Sequence, residues 1–178
     1  MMSIYSNPRG AAQANARQVV RALLDLLGDR LPLEVLAETP RWLSARIEGH
    51  PRQRLMEPEA PGKWSVGAVL AHLADAEMVV GVRSRFIIGD LEPPLQGFDQ
   101  DRWATEFDYL HQDPETALAD FSTLREVNLR HWARITPEQW HRIGHHTERG
   151  AVSAELNLRI TAGHDLVHRQ QVDRILGR

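Results

Sequence analysis

The chain contains no cysteine. That removes disulfides, thiolate metal ligands and a cysteine nucleophile together, so any thiol chemistry must use a thiol brought by a substrate. Long apolar runs are missing as well. Nothing approaches the roughly 20 apolar residues that span a bilayer, and Met1 to Gly10, with Asn7, Pro8 and Arg9, lack the apolar centre of a signal peptide. The expectation is a cytoplasmic protein with no membrane partner. Positive charge is not in excess: 21 Lys and Arg stand against 24 Asp and Glu, and a formal net charge of -3 argues against a nucleic-acid partner. Neither GxGxxG nor a P-loop occurs, which leaves nucleotide cofactors without support. Sustained period-two alternation is absent too, so the reading is almost no strand and an all-α class.

What is present suits a helical bundle. With 178 residues, 42% apolar and 25% charged, the chain is long enough to bury a core without a disulfide or a structural metal. Val20, Leu23, Leu24 and Leu27 predict an amphipathic helix from about Ala11 to Leu27, ended by Gly28. Leu36, Leu43 and Ile47 predict a second after Pro32, with Pro40 in its first turns or at a kink. Ser65 is placed to cap a helix whose stripe is Val66, Val69, Leu70, Leu73, Ala76 and Val80, running to about Ile88. Phe98 to Tyr109 reads as a short helix, and Asp113, Pro114 and Glu115 open another that carries Leu118, Phe121, Leu124 and Trp132 to about Arg134. Gly144 and Gly150 then break the chain, and Ser153 caps a last helix from Ala154 to about Leu176. The expected organisation is an N-terminal helical extension over residues 1–32 and a four-helix bundle over 33–178, with the long connection before Asp113 permitting a crossover. Gly67, Gly81 and Gly163 lie inside predicted helices, where close helix contact is a reason to keep them.

Nine histidines are the chemical feature of the composition. Neutral imidazole suits zinc, nickel and related ions. His164 and His168, four apart on the last helix, share one face, within reach of a single ion. Spacing alone carries little, because a second such pair, His141 and His145, occurs as well. Position says more: His164 and His168 lie among Ile160, Val172 and Ile175, and His72 lies between Val69, Leu73 and Ala76. All three point into the bundle. Two readings follow, either a shared metal ion or separate hydrogen bonding of each ring within the core.

Lys63-Trp64-Ser65, then Ala71 to Glu77 around His72, Phe98-Asp99-Gln100-Asp101, the Gly144 to Gly150 loop, and Ala162 to His168 with Gln171 occur in an order and spacing that resembles the DinB/YfiT-like superfamily. The resemblance covers roughly Leu33 to Leu176. It implies a four-helix bundle with a crossover, often a homodimer, and a divalent ion held by His72, His164 and His168. It also implies that His146 stands near the mouth of the site; by its loop position alone the same residue reads as exposed. Trp64 is expected at the bundle end beside the opening, with Asp75 and Asp165 as candidates to orient a ligand or act on substrate. Members commonly carry Glu three residues after the capping Ser, whereas Ala68 stands here, so only half a capping box can form.

Three histidines leave an ion such as zinc or nickel open positions for water or substrate. Characterised members of the superfamily include transferases using low-molecular-weight thiols, so the resemblance implies transfer of such a thiol to a small electrophile. A metal-dependent hydrolase using Asp165 or Asp75 as base, and a binding protein without turnover, are the alternatives. His164-Asp165-Leu166-Val167-His168 superficially resembles the zincin HExxH pattern, but Asp is one methylene short and the bundle is the wrong context. Arg83 and Arg85 are placed either to meet an anionic substrate or to pair at the surface.

Overall fold

Helical periodicity, end signals and the scarcity of alternation produce an all-α architecture in the computed structural model, which describes residues 13–177. Four long helices form the bundle: α2 (Pro32–Ile47), α4 (Val66–Gly89), α6 (Pro114–Trp132) and α8 (Ala154–Leu176). Ahead of them α1 (Gln13–Leu27) lies along α8. The expected start of that helix at Ala11, and Met1 to Gly10, lie outside the described residues. Short helices α3 (Arg52–Met56), α5 (Gln100–Glu106) and α7 (Pro137–Trp140), with a 3-10 turn at Tyr109–His111, fill the connections. No helix among the described residues is long and apolar enough to cross a membrane.

The polar residues expected to start helices do so. Ser65 accepts from the Ala68 amide, Asp113 from Thr116 and Ser153 from Leu156, each satisfying a first-turn N–H that has no partner inside its helix. With Ala at position 68 the Ser65 cap is one-sided, while Thr136 and Gln139 form a complete capping box at α7.

Both α2 and α4 pack on α6 and α8, so α2 and α4 stand diagonally across the bundle. Two connections therefore cross a diagonal, residues 48–65 between α2 and α4 and residues 133–153 between α6 and α8. The longer connection after α4 joins the neighbours α4 and α6, contrary to the position expected for it. Strand is slightly more than expected. β1 (Pro94–Leu95) pairs parallel to β2 (Ile143–His146), and β2 pairs antiparallel to β3 (Gly150–Ser153). These strands are too short to show alternation, and their hairpin closes on Gly150 at φ +75°, a conformation glycine adopts without steric cost. Gly163 serves a different end. A Cβ there would overlap the Leu23 carbonyl of α1, so the absence of a side chain lets α1 lie directly on α8.

Apolar faces fill most of the interior, from Leu70, Leu73 and Phe121 at one level to Leu36, Trp132 and Leu158 at another. Between them sits a charge. Arg125 of α6 is 1% exposed and donates to Asp165 of α8 at 2.6 and 3.0 Å, to Glu77 of α4 at 2.8 Å and to the Leu36 carbonyl of α2 at 2.8 Å. One guanidinium thus joins all four bundle helices. The Leu36 bond has a local origin, because Pro40 lacks the N–H that would normally bond that carbonyl four residues back. Asn128, one turn further along α6, donates to the Glu77 carboxylate at 2.8 Å and to its backbone carbonyl at 3.0 Å.

Arg125→Leu removes the cation and strands two buried carboxylates, a change that costs about 3–5 kcal/mol. A urea unfolding midpoint lowered accordingly is the expected result, and Arg130→Leu, at a solvent-exposed pair with Glu126, should leave the midpoint nearly unchanged.

Candidate metal centre

His72 sits two turns into α4, on the side that also buries Val69, Leu73 and Glu77. His164 and His168 sit one turn apart on α8, with Asp165 between them bound to Arg125. Packing α4 against α8 brings the three rings together, with centroids 5.1, 4.8 and 4.4 Å apart. His72 and His168 are buried and His164 is partly so.

The ring nitrogens decide between a shared ion and separate hydrogen bonds. His164 Nε2 is 3.1 Å from His72 Nε2 and 3.0 Å from His168 Nε2. A neutral imidazole nitrogen carries either one proton or one lone pair, so His164 Nε2 serves one neighbour and leaves the other unserved. Charging a ring does not help. Burial is the main cause holding His72 and His164 well below the usual histidine range and His168 down to about 4. A cation that accepts three lone pairs resolves the conflict. Nitrogens about 2.0–2.1 Å from a tetrahedral ion stand about 3.3 Å from one another, close to the two spacings found at His164, and all three donors lie within 4.8 Å of one another.

The neighbours set the rings accordingly. His168 Nδ1 is 2.9 Å from Gln171 Oε1, an oxygen that only accepts, so its proton sits on Nδ1 and the Nε2 lone pair faces the cluster. Trp64 closes one side with its ring 5.0 Å from His72. Tyr109 packs against Trp64 and donates its hydroxyl to Asp75, which occupies that carboxylate and pushes the phenol above its usual range through burial first and Asp75 second.

The cluster lies between two openings. A small cavity of about 90 Å³ is lined by His72, His164, Arg83, His146 and Arg149, with Val19 and Leu23 of α1 in its wall. A wider cleft of about 830 Å³ runs past Trp64, Tyr109, His168 and Gln171.

The model of the DinB superfamily matches residues 14–172. The chain belongs to the DinB superfamily. Its match begins inside α1, so that helix falls within the superfamily region. Among similar proteins, one from Oceanobacillus iheyensis is 26% identical over 133 residues, covering 75% of this chain and 77% of that one. YfiT of Bacillus subtilis is 29% identical over 119 residues, covering 65% of each chain. Both bear the name "Putative metal-dependent hydrolase". The solved YfiT structure, described as having an unusual four-helix bundle topology, superposes with a TM-score of 0.70 at 25% identity over 82% of this chain and 86% of that one. This DinB protein therefore shares its bundle with a solved structure, and its three-imidazole donor set is that of a divalent-metal site.

The other expected site residues are dispersed in role. Asp165 holds Arg125 from between the two α8 histidines. His146 is 5% exposed and faces the small cavity, not solvent. His145 pairs with Glu92 at the surface, and Arg85 bonds Asn128 and the Gly81 carbonyl, away from the cavity that Arg83 lines. Sequence reading missed Arg125, Glu77, Tyr109, Asn157 and Arg149. Two carried a usable signal: Glu77 is the second acid of the quoted Ala71 to Glu77 segment, after Asp75, and Arg125 falls in the inward register of Phe121 and Trp132.

The depressed histidines make the metal-free protein acid-sensitive. On unfolding each ring regains an ordinary pKa near 6.5 and takes up a proton that the folded state refuses below that pH. The stability they confer is complete above about pH 6.5 and drains as pH falls toward 4. Urea midpoints of metal-free protein should hold between pH 8 and 7 and fall steadily below 6.5; a constant midpoint from pH 7 to 5 would contradict this.

Proposed function

We propose that the protein is a metal-dependent enzyme acting on a small molecule, with His72, His164 and His168 as ligands of one divalent ion, and that its reaction is transfer of a low-molecular-weight thiol to an electrophile. The convergence of three Nε2 atoms carries this reading. An ion held there lowers the pKa of a coordinated thiol or water and leaves positions open for it.

The engagements of the carboxylates around the cluster favour thiol transfer over hydrolysis. Water activation calls for a free base beside the ion, but Asp165 and Glu77 are both committed to Arg125, and Asp75 is engaged by Tyr109. A thiol starts from a pKa of about 8.5, so an ion at the cluster would bring it to the thiolate at neutral pH with its proton released to solvent, and it would need less help from a base than water does. With no cysteine in the chain, the thiol enters with a cosubstrate, and the wider cleft past His168 and Trp64 gives it room. Tyr109 and Trp64 wall that approach, while Gln171 keeps His168 in its ligand tautomer.

Hydrolysis is the second reading, favoured by the names of the relatives and by Glu148, a carboxylate lining the small cavity. Metal-loaded protein incubated with a thiol panel and a chromogenic electrophile, beside a panel of esters, amides and lactones, separates the two. The expected result is electrophile consumption only with thiol, one ion per chain by elemental analysis, and loss of both ion and turnover in His168→Ala. Turnover of esters or lactones without thiol supports hydrolysis, and a His168→Ala protein that keeps its ion overturns the ligand assignment.

A further inference from the structure

The small cavity is lined by an unusual set of polar atoms. Seven buried side-chain nitrogen or oxygen atoms among the described residues have no hydrogen-bond partner. Five of them belong to residues lining this one cavity: Arg83 Nε, Arg125 Nε, His72 Nδ1, His146 Nε2 and Asn157 Nδ2. All five are nitrogens. The remaining two, Arg46 Nε and Asp173 Oδ1, face each other at 2.9 Å in an ion pair elsewhere.

Each is a donor in its setting. His146 Nδ1 accepts from the Glu148 amide at 3.1 Å, so the neutral ring carries its proton on Nε2. Burial, with Arg149 and Arg83 beside it, holds His146 down to about 3 and keeps it neutral. Arg83 spends one terminal nitrogen on the Gln96 carbonyl at 2.5 Å and keeps its Nε–H unpaired at 6% exposure. Asn157 is 4% exposed with its amide nitrogen unmatched. Arg149 lines the same space and makes no hydrogen bond or ion pair among the described residues, with Glu148 as its electrostatic neighbour. A buried donor without an acceptor is costly, and several donors around one cavity call for a group that only accepts.

Charge agrees with the donor set. Three arginines and three carboxylates line the cavity and their formal charges cancel, with Glu77 and Asp165 both held by Arg125, so Arg83 and Arg149 outnumber Glu148 among the groups outside that cluster. A divalent ion at the histidines makes the space decidedly positive. At about 90 Å³ the cavity holds a group the size of a few water molecules, and not a whole cofactor.

We infer that this cavity is an anion subsite, and that the substrate of the metal centre carries a carboxylate or phosphate group seated on Arg83, His146, Arg149 and Asn157. The inference rests on the metal-centre reading for what the anion belongs to. Its own evidence is the donor set.

The test is calorimetric titration of the metal-loaded full chain with propionate, inorganic phosphate and, as the neutral control, propionamide, with metal content measured on every sample. One anion per chain is expected, with no propionamide binding, and the tighter of the two anions identifies the group. Arg149→Gln should weaken anion binding at least tenfold while metal content stays at wild type. Arg149 is only partly buried, and Arg83→Met serves as a second variant. Anion binding at wild-type strength in both variants would place the anion on the metal ion alone and overturn the subsite, as would absence of saturable binding by either anion. Wild-type protein that retains no ion, yet binds an anion with the same dependence on Arg149, would sink the metal reading and leave the subsite standing.

Discussion

A single guanidinium, that of Arg125, fixes the relation of the four bundle helices. It reaches Leu36, Glu77 and Asp165 from its own place on α6, and the full set of these bonds forms only when all four helices pack in the observed order. Desolvating a cation and two carboxylates is costly, and the geometry offsets that cost with well-formed bonds to both acids, which together hold the arginine above its ordinary pKa. The metal centre inherits the result. Asp165 stands between His164 and His168, and Glu77 lies five residues after His72, so the lashing sets the separation of α4 and α8 at the level where the rings meet. Pro40 contributes from a distance, by leaving the Leu36 carbonyl free for Arg125.

The strongly marked parts of the fold were legible because their signals are local. Ser65, Asp113 and Ser153 cap helices where a side-chain oxygen precedes an apolar period, and Gly28 follows the end of α1 with positive φ. His72, His164 and His168 were legible because polar rings in an apolar register need partners. Placing the crossover required knowing which helices neighbour each other, a non-local fact that α2 and α4 do not announce. Arg125 and Asn128 were harder for the opposite reason. They occupy the inward stripe of Phe121 and Trp132, where Leu124 looks the better core residue, yet Arg125 is buried and Leu124 only half so. A polar residue in an inward register is the same signal that exposed the histidines, without a shared ligand type to draw attention to it.

His146, Asn157 and Arg149 show the limit of reading along the chain. They come from β2, α8 and the intervening hairpin, and converge with Arg83 of α4 only because the sheet folds back over the bundle. No spacing rule connects them. Helix α1 adds to the wall, since Gly163 permits a contact close enough for Val19 and Leu23 to line the cavity. The centre therefore has a small donor-lined pocket on one side and a roomy aromatic cleft on the other.

The central claim is that three imidazole nitrogens share one divalent ion. X-ray absorption at the zinc edge of the zinc-reconstituted full chain tests it most directly. The predicted spectrum shows three imidazole ligands at about 2.0–2.1 Å with a remaining light scatterer, and one imidazole fewer in His168→Gln if that variant holds the ion. A shell dominated by carboxylate oxygen, with one imidazole or none, would contradict the account.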